Sequence, residues 1–162
     1  MEVDAKSILY MVAKHFGLKR NSTEDRLKLQ KMVYLLQAYG MRLGYGFVWY
    51  KYGPYSKTLV SDAYAVLCSE RILYEHGTKD WRFSPSTIEK LQQFRAEFGD
   101  FLNTADDLEL LASVRFLLEE HHEKTDEDIA RVFQKRKPTL FTGEKPSSQR
   151  VLEAIQTARK LE

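Results

Sequence analysis

The metal-binding side chains closest together in this chain are His121 and His122, set among Glu119, Glu120 and Glu123. Neighbouring residues on a helix project about 100° apart, so the two imidazoles do not converge on one ion. A solvated helix end accounts for the group. His15 and His76 stand alone, and the single cysteine, Cys68, lies among Ala65, Val66 and Leu67 in a helical pattern. That reads as a half-buried thiol, and one cysteine allows no internal disulfide. Carboxylates gather at Asp106-Asp107-Glu109 and Asp126-Glu127-Asp128, each at an expected helix start, where exposed N–H groups favour negative charge. Lys135-Arg136-Lys137 reads as the matching solvated helix end. The chain carries no P-loop, no dinucleotide-binding glycine pattern and no nucleophile-elbow serine. Thr142-Gly143-Glu144-Lys145-Pro146 has the form of a linker between zinc fingers, but one cysteine cannot build such a finger, so it reads as a turn. The expectation is a protein without an enzymatic site, a cofactor or a metal.

The stretch 28–56 is richer. Lys28-Leu29-Gln30-Lys31 opens a helix, and Phe47-Val48-Trp49-Tyr50 follows as a short β-rich run closed by the turn Tyr52-Gly53-Pro54-Tyr55-Ser56. Trp49, Tyr50, Tyr52 and Tyr55 combine flat apolar bodies with polar tips. Strand alternation turns Trp49 away from Tyr50, which leaves part of the set exposed and suited to anchor a partner. Lys28 and Lys31 are read as charged rim contacts, and Pro54 as the residue that holds the turn rigid and limits the entropy lost on binding.

A second surface suits DNA. A helix over 56–69 followed by a hairpin over 72–83 is winged-helix-like, with Lys57 and Ser61 on the helix and Lys79 and Arg82 on the wing as contacts. The outward helix face, however, holds no Arg, Asn or Gln to pair with base edges. DNA binding is the alternative reading, and protein docking the leading one.

The elements that must position these residues are mostly helices. Apolar spacing predicts helices over 4–16, 24–43, 56–69 and 105–121, one with Pro85 in its first turn, one after Thr125, and a last one bearing Val151, Leu152, Ile155 and Ala158 beyond a loop over 137–146. Ser22 or Thr23, Ser56 and Thr125 are expected caps. The 162 residues suit a single domain, with a winged-helix-like core and wing over 1–100 and a helical extension over 101–162. The fold class is mainly α with a small β-hairpin. The net charge is +2, with 15 Lys and Arg against 11 Asp and Glu in residues 1–100 and 10 against 12 beyond. A dedicated nucleic-acid binder carries a stronger basic bias. An acidic N-terminus and the lack of a long apolar run predict a soluble, cytoplasmic protein that does not enter membranes.

The pairing of Lys28-Leu29-Gln30-Lys31 with Tyr52-Gly53-Pro54 some twenty residues later resembles the Panacea domain, which includes SocA-like antitoxins. Tyr52 to Ser56 and the helix Leu108-Glu109-Leu110-Leu111-Ala112-Ser113 resemble a related group of prokaryotic proteins more closely. The resemblance implies a mainly helical fold and a protein that binds another protein, such as a toxin, and neutralises or delivers it. Homodimerisation through the same aromatics is a second use.

Overall fold

The computed structural model describes residues 5–68 and 82–161. Its order is α1 (Ala5–His15), α2 (Thr23–Ala38), β1 (Val48–Tyr50), β2 (Gly53–Tyr55), α3 (Lys57–Cys68), α4 (Pro85–Phe98), α5 (Ala105–Glu120), α6 (Asp126–Arg136) and α7 (Ser148–Ala158). Short 3-10 turns follow α4 and α7. The fold is therefore mainly α with a small antiparallel hairpin. Among the described residues no helix is long and apolar enough to cross a membrane.

The helix starts follow the sequence closely. Ser22, Ser84 and Thr125 each accept a hydrogen bond from the backbone N–H three residues on. Such caps each contribute about 1 kcal/mol. Pro85 takes the first turn of α4, where its missing N–H costs little. The Ser56 hydroxyl accepts from Leu59 N–H and caps α3.

Two helices carry the interior. α2 packs on α3, α5 and β2, while α5 also packs on α6, α7 and β2. Each is buried on more than one face, which explains why both patterns show apolar residues all round. One cluster of buried side chains runs from Leu9 on α1 through Leu36 and Leu111 to Ile155 and Leu161.

The largest departure from the periodicity lies at residues 39–50. The expected helix over 24–43 stops at Ala38, Gly40 takes φ +108°, and the chain then runs to β1 without regular structure, with Gly44 at φ +84°. Met41, Leu43, Tyr45, Phe47 and Trp49 turn inward, and Arg42, Gly44, Gly46, Val48 and Tyr50 turn out. Over so short a span Met41 and Leu43 satisfy a spacing of two as readily as a helical stripe. Gln37 locks the strap, its side-chain amide donating to the Tyr45 carbonyl and accepting from Tyr45 N–H, both at 2.9 Å.

The hairpin is also displaced from the sequence reading. Val48 pairs with Tyr55, Trp49 with Pro54 and Tyr50 with Gly53. The turn is thus Lys51-Tyr52, and Gly53-Pro54-Tyr55 is a strand rather than part of the turn. The wing expected over 72–83 lies outside the described residues apart from Arg82 and Phe83, which precede α4 in irregular backbone.

Candidate functional site

The segment 51–56 is held from below by buried polar side chains on three helical elements. Gln30 and Lys31 sit side by side on α2. The Gln30 amide donates to the Ser56 carbonyl at 2.9 Å and accepts from Ser56 N–H at 3.1 Å. Lys31 Nζ donates to the Pro54 carbonyl at 2.7 Å. Residues 54 and 56 present their backbone groups to the same side, so adjacent α2 residues can grip alternate strand positions. The Pro54 carbonyl points to α2 rather than to β1, so Trp49 and Pro54 form a pair without ladder hydrogen bonds. Proline is tolerated at such a position.

The second grip comes from α5 and the end of α6. Glu109 is fully buried, at 0 % exposure. It pairs with Lys137 Nζ at 3.1 Å and accepts from Phe141 N–H at 2.8 Å. Lys137 Nζ also donates to the Lys51 carbonyl at 3.0 Å. One helical turn before Glu109, Asp106 accepts from both the backbone and the hydroxyl of Thr142. The turn around Thr142 is therefore docked on α5. These contacts correct two readings of the sequence. Glu109 is an internal counter-ion, and Lys137, also buried, is no solvated helix end.

Burial pulls Lys31 down from 10.5 to about 7, with Lys137 pushing in the same direction and Glu109 opposing it. The unfolded chain keeps that proton to much higher pH. Between pH 7 and 9 folding therefore expels a proton, and stability should rise with pH, by up to about 1 kcal/mol per unit. Above pH 10 the trend reverses. Unfolded tyrosines then ionise, while burial holds Tyr34 and Tyr45 protonated, helped by the Asp62 carboxylate at Tyr45. Urea midpoints of the wild type should climb from pH 7 to 9, and those of Lys31→Met should climb less. Equal slopes would show that Lys31 is not the group responsible.

Above this polar floor lies an apolar groove of about 240 Å³ between the hairpin, the first turns of α2 and the outer face of α3. Tyr50, Tyr52 and Tyr55 form one wall, and Val60 and Tyr64 on α3 the other. Tyr50 and Tyr64 are each 60 % exposed and Val60 40 %. The rings of Tyr50 and Tyr55 lie 5.0 Å apart, and Tyr52 packs edge-on against Phe141 at 5.5 Å. The Arg26 guanidinium sits 5.5 Å over the Tyr64 ring.

The residues singled out from the sequence divide accordingly. Tyr50, Tyr52 and Tyr55 come together at the groove, and Pro54 is buried beneath them. Lys31 is 1 % exposed, so it belongs to the floor and not to a charged rim. Lys28 faces a different cleft, beside Asp25 at 3.8 Å and the Asn103 carbonyl. Trp49 turns to the opposite side of the hairpin, where it packs on Phe116 at 5.9 Å with the Arg136 guanidinium 5.7 Å from its ring. Of the DNA-contact set, Lys57 and Ser61 are exposed on α3, Lys79 lies outside the described residues, and Arg82 lines a separate cleft with Arg42 and Lys90. The face of α3 that bears Lys57 and Ser61 is otherwise Val60 and Tyr64, which do not read base edges.

Sequence reasoning missed Gln30, Glu109 and Lys137 as the supports, and Arg26, Val60 and Tyr64 as groove residues. A signal for Glu109 was available, since apolar residues stand on both sides of it at positions 105, 108, 110, 111 and 112. Val60 and Tyr64 fall four apart on α3, each about 100° round the helix from Leu59 and Ala63, an exposed apolar pair that periodicity could have shown. Comparison with known proteins finds no match, whether to a protein-family model, a curated protein or a solved structure.

Proposed function

We propose that this chain is a non-enzymatic, protein-binding regulator, antitoxin-like in that it docks a partner protein and neutralises or delivers it in the cytoplasm. The observation that carries the reading is the groove: Tyr50, Val60 and Tyr64 stand exposed around a concave apolar surface whose backbone is pinned from below. Exposed tyrosines on a rigid frame lose little freedom when covered, which is the usual make-up of an interface anchor. The polar groups nearby are consumed by structure. Lys31, Gln30, Glu109 and Lys137 each hold backbone or one another.

The test is a paired pull-down from cell lysate with the wild type and Tyr50→Ala/Tyr64→Ala, each with and without nuclease. A protein held by the wild type in both conditions should be lost from the variant, and its affinity for the purified wild type should exceed that for the variant by about thirtyfold or more. Circular dichroism should be unchanged, because both side chains are exposed. Recovery that depends on nucleic acid, or that survives the double substitution, would reject groove-mediated docking.

A further inference from the structure

The groove is apolar inside and cationic at its edge. Arg26 lies over Tyr64 and donates to the Thr23 hydroxyl and the Cys68 sulfur, and Lys51 lies 5.4 Å from the Tyr52 ring. Lys57 is exposed on the face of α3 that carries Val60 and Tyr64, three and seven residues on. Among the described residues none of these three cations has a carboxylate partner, and no carboxylate lines the groove. The acidic residues nearest in sequence are committed elsewhere. Glu24 and Asp25 line the cleft on the other side of α2, and Asp62 accepts the Tyr45 hydroxyl at 2.7 Å.

We propose that the groove receives an acidic segment of a partner protein, with an aliphatic or aromatic side chain seated between Tyr50, Tyr55 and Tyr64 and flanking carboxylates paired with Arg26, Lys51 and Lys57. This rests on the docking reading above and names the chemistry of the partner. A nucleic-acid strand fits the same cations less well. The Tyr50 and Tyr55 rings face one another at 5.0 Å, so each already has one face covered and unavailable for base stacking. The concave apolar walls of Val60 and Ala63 suit a side chain rather than a base.

The experiment is selection from a displayed library of random twelve-residue peptides on the immobilised full chain, followed by fluorescence anisotropy of the enriched peptides. The expected consensus is one bulky apolar residue with two or more Asp or Glu within three positions. Binding should weaken about tenfold in Arg26→Gln/Lys57→Gln and fall with added salt, because rim charges act through screened attraction. Tyr64→Ala should abolish it. Enriched peptides that lack acidic residues but still depend on Tyr64 would overturn the acidic-segment proposal and leave docking intact. No Tyr64-dependent enrichment would count against both. A wild-type dimer in sedimentation that Tyr64→Ala dissociates would assign the groove to a second copy and overturn the proposal. So would tighter binding of a single-stranded oligonucleotide than of any peptide.

Discussion

Glu109→Gln lowers the unfolding free energy by about 3–5 kcal/mol, the cost of leaving a buried charge without its partner. The carboxylate is fully enclosed and both oxygens are in use, one on Lys137 Nζ and one on Phe141 N–H. Glutamine offers one acceptor oxygen and one NH₂ donor, so either Phe141 loses its acceptor or an amide N–H faces an ammonium. Lys31 and Lys137 are then two buried amines with no anion between them. Burial pushes the Glu109 carboxyl upward, and the Lys137 ammonium, the Phe141 N–H and Lys31 push it back. Removing the charge therefore removes the group that keeps both lysines tolerable. Urea unfolding should show a lower midpoint with an unchanged slope, and thermal melting should fall by about 10 °C. Glu109→Leu/Lys137→Met should recover most of the loss, because replacing both ions by apolar groups avoids the orphaned charge. A Glu109→Gln loss below about 1 kcal/mol would mean that water reaches the pair and that it behaves as a surface ion pair.

The fold and the site were legible to different depths, for physical reasons. Helix ends are written in short-range chemistry, so Ser22, Ser56 and Thr125 could be named as caps from the sequence alone. Apolar residues on two sides of α2 marked it as a helix covered by neighbours, while the 105–121 pattern was legible only as a helix. The strap at 41–50 was hidden because Met41 and Leu43 fit a helical stripe and an alternating strand equally well, and only Gly40 at φ +108° decides between them. The tyrosines of the hairpin were found because aromatic residues beside a glycine and a proline are conspicuous. Their supports were not. Glu109 and Lys137 look the same in a sequence whether they end a helix in water or meet 28 residues apart in the interior. Lys31 was taken for a rim charge for the same reason. A buried ion pair is a tertiary fact, created when α5 and the end of α6 close on the hairpin. Its one local trace is a charged residue set where a helix is apolar on all sides.

Gly53→Ala should destabilise the protein by about 2–4 kcal/mol, from roughly 1–2 kcal/mol of left-handed backbone strain plus a steric term of similar size. Gly53 adopts φ +86°, and an added Cβ would lie 2.2 Å from the Ser113 hydroxyl and 3.4 Å from its Cβ. β2 rests directly on α5 at this point, so the glycine does two jobs: it turns the chain after Lys51-Tyr52, and it lets backbone touch helix. Ser113 supplies the control. Its hydroxyl is buried with no hydrogen-bond partner among the described residues, so Ser113→Ala alone should change stability by no more than about 0.5 kcal/mol, since no made bond is lost. In the Ser113→Ala background Gly53→Ala should cost at least about 1 kcal/mol less than in the wild type, because the clash is gone and only the backbone strain remains. Equal costs in both backgrounds would show that the strand lifts away from α5 instead of pressing on it. The same cycle reports on the groove. Tyr50, Tyr52 and Tyr55 are carried by this hairpin, so in Gly53→Ala a bound peptide should dissociate faster although every tyrosine is present. Ser113→Ala should restore part of the affinity together with part of the stability. A peptide that binds Gly53→Ala as it binds the wild type would separate the groove from the turn, and would make the buried grip of Gln30 and Lys31 sufficient to hold the tyrosine wall.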